Sequence, residues 1–127
     1  MVRRFWIIIA LSVVLLSAVI LEQIYTDNAV QTLINNTQTL QTSIENENLT
    51  ESKQQALEIK EYWDNNEVII SMFVDYRDIE QIGRQIELVN SHLDNEDFEL
   101  AKVECNLLLH ITTTFKNTIG FDWQNII

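Results

Sequence analysis

The sequence predicts an all-α protein, in which an N-terminal transmembrane helix continues into an up-and-down bundle of three to four antiparallel helices. The first observation is that the chain has no proline and only two glycines, so the strongest helix breakers are almost absent. The second is an apolar run near the N-terminus. The third is a series of apolar stripes at three- and four-residue spacing, separated by short turns, which is typical of helices that pack side by side.

The apolar run covers Phe5–Leu21 and contains no charged residue. A helix of this length spans roughly 26 Å, close to the thickness of a bilayer's hydrocarbon core. Trp6 and Tyr25 stand where interfacial aromatic residues are enriched, and Arg3 and Arg4 precede the run, so the positive-inside rule places the N-terminus in the cytoplasm. We therefore predict a single-pass protein of the cell membrane, with lipid around Phe5–Leu21 and the bulk of the chain extracytoplasmic.

A cleaved signal peptide is the alternative interpretation, because it shares the basic start and the apolar core. Cleavage requires small residues near the cut, and residues 19–24 (VILEQI) have no small-x-small pattern. The sequence thus favours an uncleaved anchor. We divide the chain into residues 1–25, a cytoplasmic stub with the anchor helix, and residues 26–127, an acidic extracytoplasmic helical bundle.

The chain beyond the apolar run is strongly acidic. Of the 8 Lys and Arg residues, two are Arg3 and Arg4, which leaves six against 19 Asp and Glu from Glu22 onward, a formal charge of −13. Such a field repels phosphates, so we expect no nucleic-acid partner. It attracts cations and basic surfaces, although an acidic surface is also a common source of solubility.

The first stripe begins just beyond the apolar run, so the anchor helix is expected to continue outward through it. Its positions are Val30, Leu33, Thr37, Leu40 and Ile44. Residues 46–49 are predicted to form a turn. A short helix should follow, capped by Thr50 or Ser52. Its apolar positions are Ala56, Ile59 and Trp63.

The longest predicted helix begins at Asp64, because Asp64 and Glu67 match a capping box and Trp63 and Val68 stand at the hydrophobic-staple positions. Its predicted buried stripe holds Ile69, Met72 or Phe73, Tyr76, Ile79, Ile82, Ile86, Val89 and Leu93. Residues 68–74 (VIISMFV) taken alone would also fit a buried strand. The continuation of the stripe at helical spacing argues against the strand.

The last predicted helix has the most regular stripe. Asp94 and Asp97 repeat the capping pattern, with Leu93 and Phe98 as the staple. The stripe positions are Phe98, Ala101, Cys105, Leu108, Thr112, Phe115 and Ile119. Gly120 is predicted to end the helix, since glycine is favoured just beyond a helix C-terminus. Residues 121–127 would then form a tail that either folds back on the bundle or contacts another protein.

No arrangement of residues in the sequence indicates catalysis. His92 and His110 have no carboxylate at metal-binding spacing, and we expect His92 at a helix end and His110 partly buried in mid-helix. Cys105 falls on an apolar stripe, so we interpret it as a small core residue. The acidic cluster around Asp94 and Asp97 lacks the glycine and later glutamate of a calcium loop and is attributed to helix capping. We predict no enzyme activity, no cofactor and no metal.

Residues on two segments are candidates for an interaction surface. Arg77 and Arg84 share a helix face, with Asp78, Glu80 and Glu87 within reach for ion pairs. Glycine between them favours a tight helix crossing, and the C-terminal tail holds aromatic residues. The candidate surface consists of Tyr76, Arg77, Gly83, Arg84, Phe121 and Trp123.

Four features carry a family resemblance that spans nearly the whole chain. They are the basic start with its single apolar helix, Trp63 before a predicted helix start, FVDYRDIE at Phe73–Glu80, and the ending QNII. With them the chain resembles an uncharacterised family of short membrane-anchored proteins from clostridia-like Gram-positive bacteria, known as a domain of unknown function. Tyr76 departs from the histidine expected there. The resemblance implies a helical extracytoplasmic domain, no known catalytic residues, and genes often beside those for small multi-pass membrane proteins.

The predicted function is therefore a non-catalytic, membrane-anchored helical module. We expect an accessory or interaction protein for a neighbouring membrane protein, or one that associates with itself. The alternative is a sensor domain that binds a ligand or cation through the acidic surface.

Overall fold

The computed structural model describes the backbone of residues 2–72 and 74–126, and the side chains of residues 2–72 and 74–118. The chain forms four helices: α1 (Val2–Glu45), α2 (Leu49–Ser71), α3 (Tyr76–Asp94) and α4 (Phe98–Ile126). Consecutive helices pack against each other, and α1 also packs against α4. The four helices therefore close into an up-and-down bundle, and the predicted all-α fold is confirmed.

Helix α1 is continuous but passes through two environments. Residues 2–21 are exposed, and an 18-residue window there has a mean hydropathy of 2.6, so this helix is long and apolar enough to cross a membrane. From Thr26 to Ile44 the same helix supplies nine buried residues to the bundle. Thr37, inside this stretch, donates its hydroxyl to the Leu33 carbonyl at 2.8 Å, so the hydroxyl is satisfied within the core. The expected continuation of the apolar helix into the bundle is confirmed.

Helix α2 begins at a different cap from the predicted one. The side-chain oxygen of Asn48 accepts a hydrogen bond from the Glu51 amide at 3.2 Å, and its side-chain amide donates to the Glu51 carboxylate at 3.0 Å. Thr50 and Ser52 lie inside the helix, and Ser52 is buried. The prediction of Thr50 or Ser52 as the cap is wrong, because Asn48 precedes both and asparagine caps a helix as well as serine does.

No helix begins at Asp64, contrary to the prediction. Helix α2 passes through Asp64 and Glu67 and ends at Ser71. The indole of Trp63, one residue earlier, is buried in the core. Packing of this helix face keeps the chain helical where the local capping pattern favours a start, because tertiary contacts contribute more to helix stability than local preference does. Residues 68–71 are helical, as the continuation of the stripe predicted, and do not form the alternative strand.

Helix α2 ends instead at Ser71 and α3 begins at Tyr76, where the Asp75 carboxylate caps α3 by accepting a hydrogen bond from the Arg77 amide at 3.1 Å. The predicted long stripe is therefore divided between two helices. Ile70 takes the core position at the end of α2. Ile69 and Tyr76, both predicted to be buried, are exposed. Of the alternatives Met72 and Phe73, Met72 is exposed and Phe73 lies outside the described residues.

The other apolar stripes are confirmed. On α3 the buried apolar residues are Ile79, Ile82, Ile86, Val89 and Leu93. On α4 the buried stripe residues are Ala101, Cys105, Leu108, Thr112 and Phe115, with Phe98 partly buried against them. Ile119 lies outside the described side chains. Asp97 caps α4 by accepting from the Leu100 amide at 3.1 Å. The prediction of Asp94 as the cap is wrong, because the hydrogen bonds of α3 extend to it.

Helix α4 does not end at Gly120. Its backbone is helical to Ile126, so the predicted tail is part of the helix as far as that residue. Glycine permits a left-handed helix end but does not require one, and no proline follows it to stop the helix. A left-handed backbone conformation is adopted instead by Glu47 (φ 55°), between α1 and α2, and by Glu96 (φ 59°), between α3 and α4.

Candidate functional site

The interior of the bundle is apolar with a few neutral polar groups. Among the described side chains, the buried polar residues are Thr26, Thr37, Ser43, Ser52, Gln85 and Thr112. Gln85 donates its side-chain amide to the Glu104 carbonyl at 2.8 Å and to the Glu104 carboxylate at 2.5 Å, which joins α3 to α4. None of the six carries an ionisable group. These buried polar residues therefore offer no acid or base for catalysis.

Cys105 lies fully buried on α4, with its Sγ 3.7 Å from the Thr37 carbonyl oxygen of α1. Burial raises the pKa of the Cys105 thiol from 9.0 to about 12, and the carboxylate of Glu45 contributes to the same direction. The thiol is therefore protonated near neutral pH and is a poor nucleophile. The interpretation of Cys105 as a core residue is confirmed.

The two histidines lie on different helices. His92 is partly exposed in the last turn of α3, as expected. His110 is exposed on α4, so its expected partial burial is wrong: the helix turns Leu108 inward and carries His110 to the outer side. Over the part of the chain that the structure describes, no three His, Cys, Asp or Glu residues come together to hold a metal ion.

A groove of about 200 Å³ runs between α3 and α4 beside His110. Its lining residues are Asp78, Gln81, Ile82, His110, Ile111, Thr114, Phe115 and Thr118. Ligand pockets usually enclose roughly 300–1,000 Å³. The groove is smaller than such a pocket and open to solvent, and its two ionisable residues, Asp78 and His110, are not buried.

The described candidate interaction residues differ in their environment. Tyr76, Arg77 and Arg84 are exposed on α3. Gly83 faces α2, and Phe121 and Trp123 lie outside the described side chains. The ion pairs expected for the two arginines do not form among the described residues. Glu87 instead binds Lys60 of α2 at 3.1 Å, and this hydrogen bond and charge pair raise the pKa of Lys60.

Gly83 marks the close approach between helices that the sequence suggested. A Cβ atom at this position would lie 3.3 Å from Nε1 of the buried Trp63 on α2. The indole N–H has no hydrogen-bond partner among the described residues. Gly83 thus serves an internal contact, and its part in an interaction surface stays a prediction.

One end of the bundle carries several exposed apolar side chains. Helices α1 and α2 are antiparallel, so the C-terminal end of α2 lies beside the part of α1 from which the apolar run extends. The Tyr25 hydroxyl donates to the Asn66 side-chain oxygen at 2.5 Å, and the Tyr62 hydroxyl donates to the Ala29 carbonyl at 3.5 Å. Beyond Asn66 lie the exposed residues Val68, Ile69, Met72 and Tyr76, here called the tip cluster.

The fold and surface define a class of protein: a four-helix bundle built on a helix that is long and apolar enough to cross a membrane. The chain belongs to the family described as Domain of unknown function (DUF4363), whose profile matches residues 20–126. The match covers the bundle and starts within the apolar run. The expected membership of an uncharacterised family is confirmed. Comparison with curated proteins found no match, and neither did comparison with solved structures.

Proposed function

We propose that this protein is a non-catalytic, membrane-anchored, extracytoplasmic module that binds a second protein of the same membrane. The observation that carries the proposal is the continuity of α1, whose exposed apolar run Phe5–Leu21 leads without a linker into the bundle. A bundle attached in this way has a defined height and orientation above the bilayer. An accessory protein that contacts a membrane neighbour benefits from this arrangement, because less orientational freedom is lost on binding.

The charge distribution supports the proposed orientation. Arg3 and Arg4 precede the apolar run, and the net charge of −13 follows it. Basic residues beside a span are retained in the cytoplasm. The bundle is then extracytoplasmic.

An exposed apolar patch supports a protein as the partner. Leu100, Val103 and Leu107 recur at helical spacing on the outside of α4. The hydrogen bond between Gln85 and Glu104 sets the register of α3 against α4, so Leu88, one turn from Gln85, lies at the same height along the bundle as Leu100, one turn from Glu104. We call Leu88, Leu100, Val103 and Leu107 the α3–α4 patch. Contiguous apolar surface on a soluble part of a protein is typical of interaction sites.

Site-specific photocrosslinking in the native membrane tests the proposal. A benzophenone amino acid replaces Val103 in the patch, and in a matched control it replaces Glu58, which is exposed on α2. Irradiation should yield a discrete adduct from position 103 and none from position 58, with the adduct identified by mass spectrometry. Equal labelling from both positions, or none above background from either, contradicts a specific partner at this patch.

Protease treatment of intact cells tests the orientation separately. External protease should degrade the bundle and leave the membrane span. A bundle that resists digestion until the cells are opened contradicts the extracytoplasmic placement.

A further inference from the structure

We propose that the tip cluster, formed by Val68, Ile69, Met72 and Tyr76, is a second membrane contact, which inserts into the interfacial layer of the bilayer that α1 crosses. The inference rests on the proposed anchoring of α1 and adds a direct contact between the bundle and lipid. The protein would then be held at two points, which restricts the tilt and rotation of α1 and the bundle as one unit in the bilayer.

The register between α1 and α2 places the cluster at the right height. Asn66 lies beside Tyr25. Antiparallel helices advance equally per residue, so Ile70, four residues after Asn66, lies level with Leu21, four residues before Tyr25. Leu21 is the last residue of the apolar run. The end of α2 therefore reaches the level at which α1 enters the hydrocarbon.

The direction of the side chains agrees with contact to lipid. Ile70 is buried, so the last turn of α2 is still packed on the bundle. Successive residues of a helix are separated by about 100°, so Val68 and Met72, each two residues from Ile70, lie on the opposite side. Their side chains are 64% and 69% exposed. Large apolar side chains in this position are unfavourable in water and favourable in the acyl boundary of a bilayer.

The residue types at the start of α3 also fit the lipid interface. Tyr76 is 69% exposed, and Arg77 beside it is exposed as well. Tyrosine is enriched at the head-group level, and arginine can extend its guanidinium to phosphates while its stem stays among apolar groups. The neighbouring carboxylate of Asp75 is engaged as the helix cap. It can remain at the hydrated head-group level, where a charge is tolerated.

Lipid is favoured over a protein as the occupant because of the attachment of α1. Packed helices have axes about 8–10 Å apart. The end of α2 therefore lies within roughly 10 Å of the point where α1 enters the bilayer. A protein partner could cover the cluster only by displacing lipid from the anchor's immediate surroundings.

Spin-label depth measurements on the full chain in lipid vesicles test the inference. Single cysteines replace Met72 and Tyr76 in the tip cluster, Leu15 in the apolar run, and Thr50 at the far end of α2, all in a Cys105→Ala background. All four positions are exposed, so the labels disturb no buried contact. Oxygen, which concentrates in lipid, and a water-soluble nickel chelate are used as relaxation agents. We expect the oxygen-to-nickel accessibility ratio at Met72 and Tyr76 to lie between those at Leu15 and Thr50.

Each other outcome has a definite meaning. If the Leu15 label is as accessible to nickel as the Thr50 label, the anchoring fails, and the proposed function and this inference fail together. If Leu15 lies in lipid while Met72 and Tyr76 behave like Thr50, the tip inference alone is overturned. Labels at Met72 and Tyr76 that are shielded from both agents also overturn it, because a protein or a second copy of the chain then covers the cluster.

Discussion

A single missing side chain determines how closely α2 and α3 approach. Glycine inside a helix costs about 1 kcal/mol relative to alanine. At Gly83 the space of a Cβ atom is restricted by the Trp63 indole, 3.3 Å away. The indole is 2% exposed and surrounded by the core, so it cannot move aside without disturbing other contacts.

In the natural chain, Gly83→Ala should therefore not raise the free energy of unfolding by the amount expected for this substitution in a helix. In a Trp63→Phe background, which removes the Nε1 atom, the same substitution should stabilise the bundle by about 1 kcal/mol more than it does with Trp63 present. The free energies of unfolding of the four proteins of this double-mutant cycle, measured by denaturant titration in detergent, give the coupling. The same gain in both backgrounds would show that the indole does not restrict position 83.

Because Cys105 is buried, the free energy of unfolding of the protein should decrease as the pH rises in the alkaline range. The pKa of its thiol is about 12 in the folded protein and 9.0 when unperturbed, so above pH 9 the unfolded chain releases a proton that the folded chain retains. The unfolded state is then favoured as the pH rises, and the contribution of the thiol to stability, complete below pH 9, is lost between pH 9 and 12. The loss should be about 1.4 kcal/mol per pH unit.

Cys105→Ala is the matched variant for this pH dependence. Its free energy of unfolding should fall less steeply between pH 9.5 and 11 than that of the natural chain, because only the natural chain carries the buried thiol. The starting stability of the variant is lower, since a buried side chain is shortened, and only the slopes are compared. Parallel slopes would mean that the thiol ionises as easily in the folded protein as in the unfolded one.

At the scale of the helices, a cap forms where its side chain can reach a free backbone amide. Asn48 does so at the start of α2, whereas Asp64, which matches the cap pattern equally well, lies within the same helix. The amides around Asp64 already bond within α2. A capping pattern therefore predicts a helix start only if the preceding residues are not held in a helix by packing.

Alanine substitutions at Asn48 and Asp64 test which of these two residues caps a helix. Asn48→Ala should lower the free energy of unfolding by about 1 kcal/mol, because the Glu51 amide loses its acceptor. Asp64→Ala is the control, and its effect should lie within about 0.5 kcal/mol of zero, as for most exposed positions. Thermal unfolding followed by circular dichroism measures both. A larger loss at Asp64 than at Asn48 would indicate that α2 is interrupted at Asp64.

At the scale of the whole molecule, the buried core and the apolar span occupy separate lengths of α1. Buried residues begin at Thr26, and residues 2–21 are exposed. Removing the exposed part takes no buried side chain from the bundle. The folding energy of the bundle therefore comes from the contacts of Thr26 onward.

A chain that lacks residues 2–21 should consequently fold. We expect a water-soluble helical protein with a cooperative thermal transition, because small single domains generally unfold in one step. Circular dichroism and analytical ultracentrifugation check the helix content and the association state. Loss of cooperative unfolding would show that the span contributes to the bundle's stability, and detergent-dependent solubility would be consistent with the exposed tip cluster.

The sequence by itself determined the helical class, the apolar helix at the N-terminus, and the buried faces of α3 and α4. These features are local: the spacing of Ile79 and Ile82, or of Cys105 and Leu108, identifies an inward face whatever lies opposite. The acidic character of the bundle also follows directly from composition. For the candidate surface, the sequence could not separate the exposed positions Tyr76, Arg77 and Arg84 from Gly83, which packs against α2, and the binding role of these residues stays a prediction.

Only the tertiary structure decided where α2 ends, what Gly83 faces, and that Met72 lies outside the core. An apolar residue near a helix end satisfies the same periodic pattern whether protein or lipid covers it. Its environment depends on the neighbouring helices, and the packing of Trp63 and Ile70 extends α2 to the level of the apolar run. The free energy of that packing exceeds the local preferences near Asp64, which are all that a sequence pattern can report.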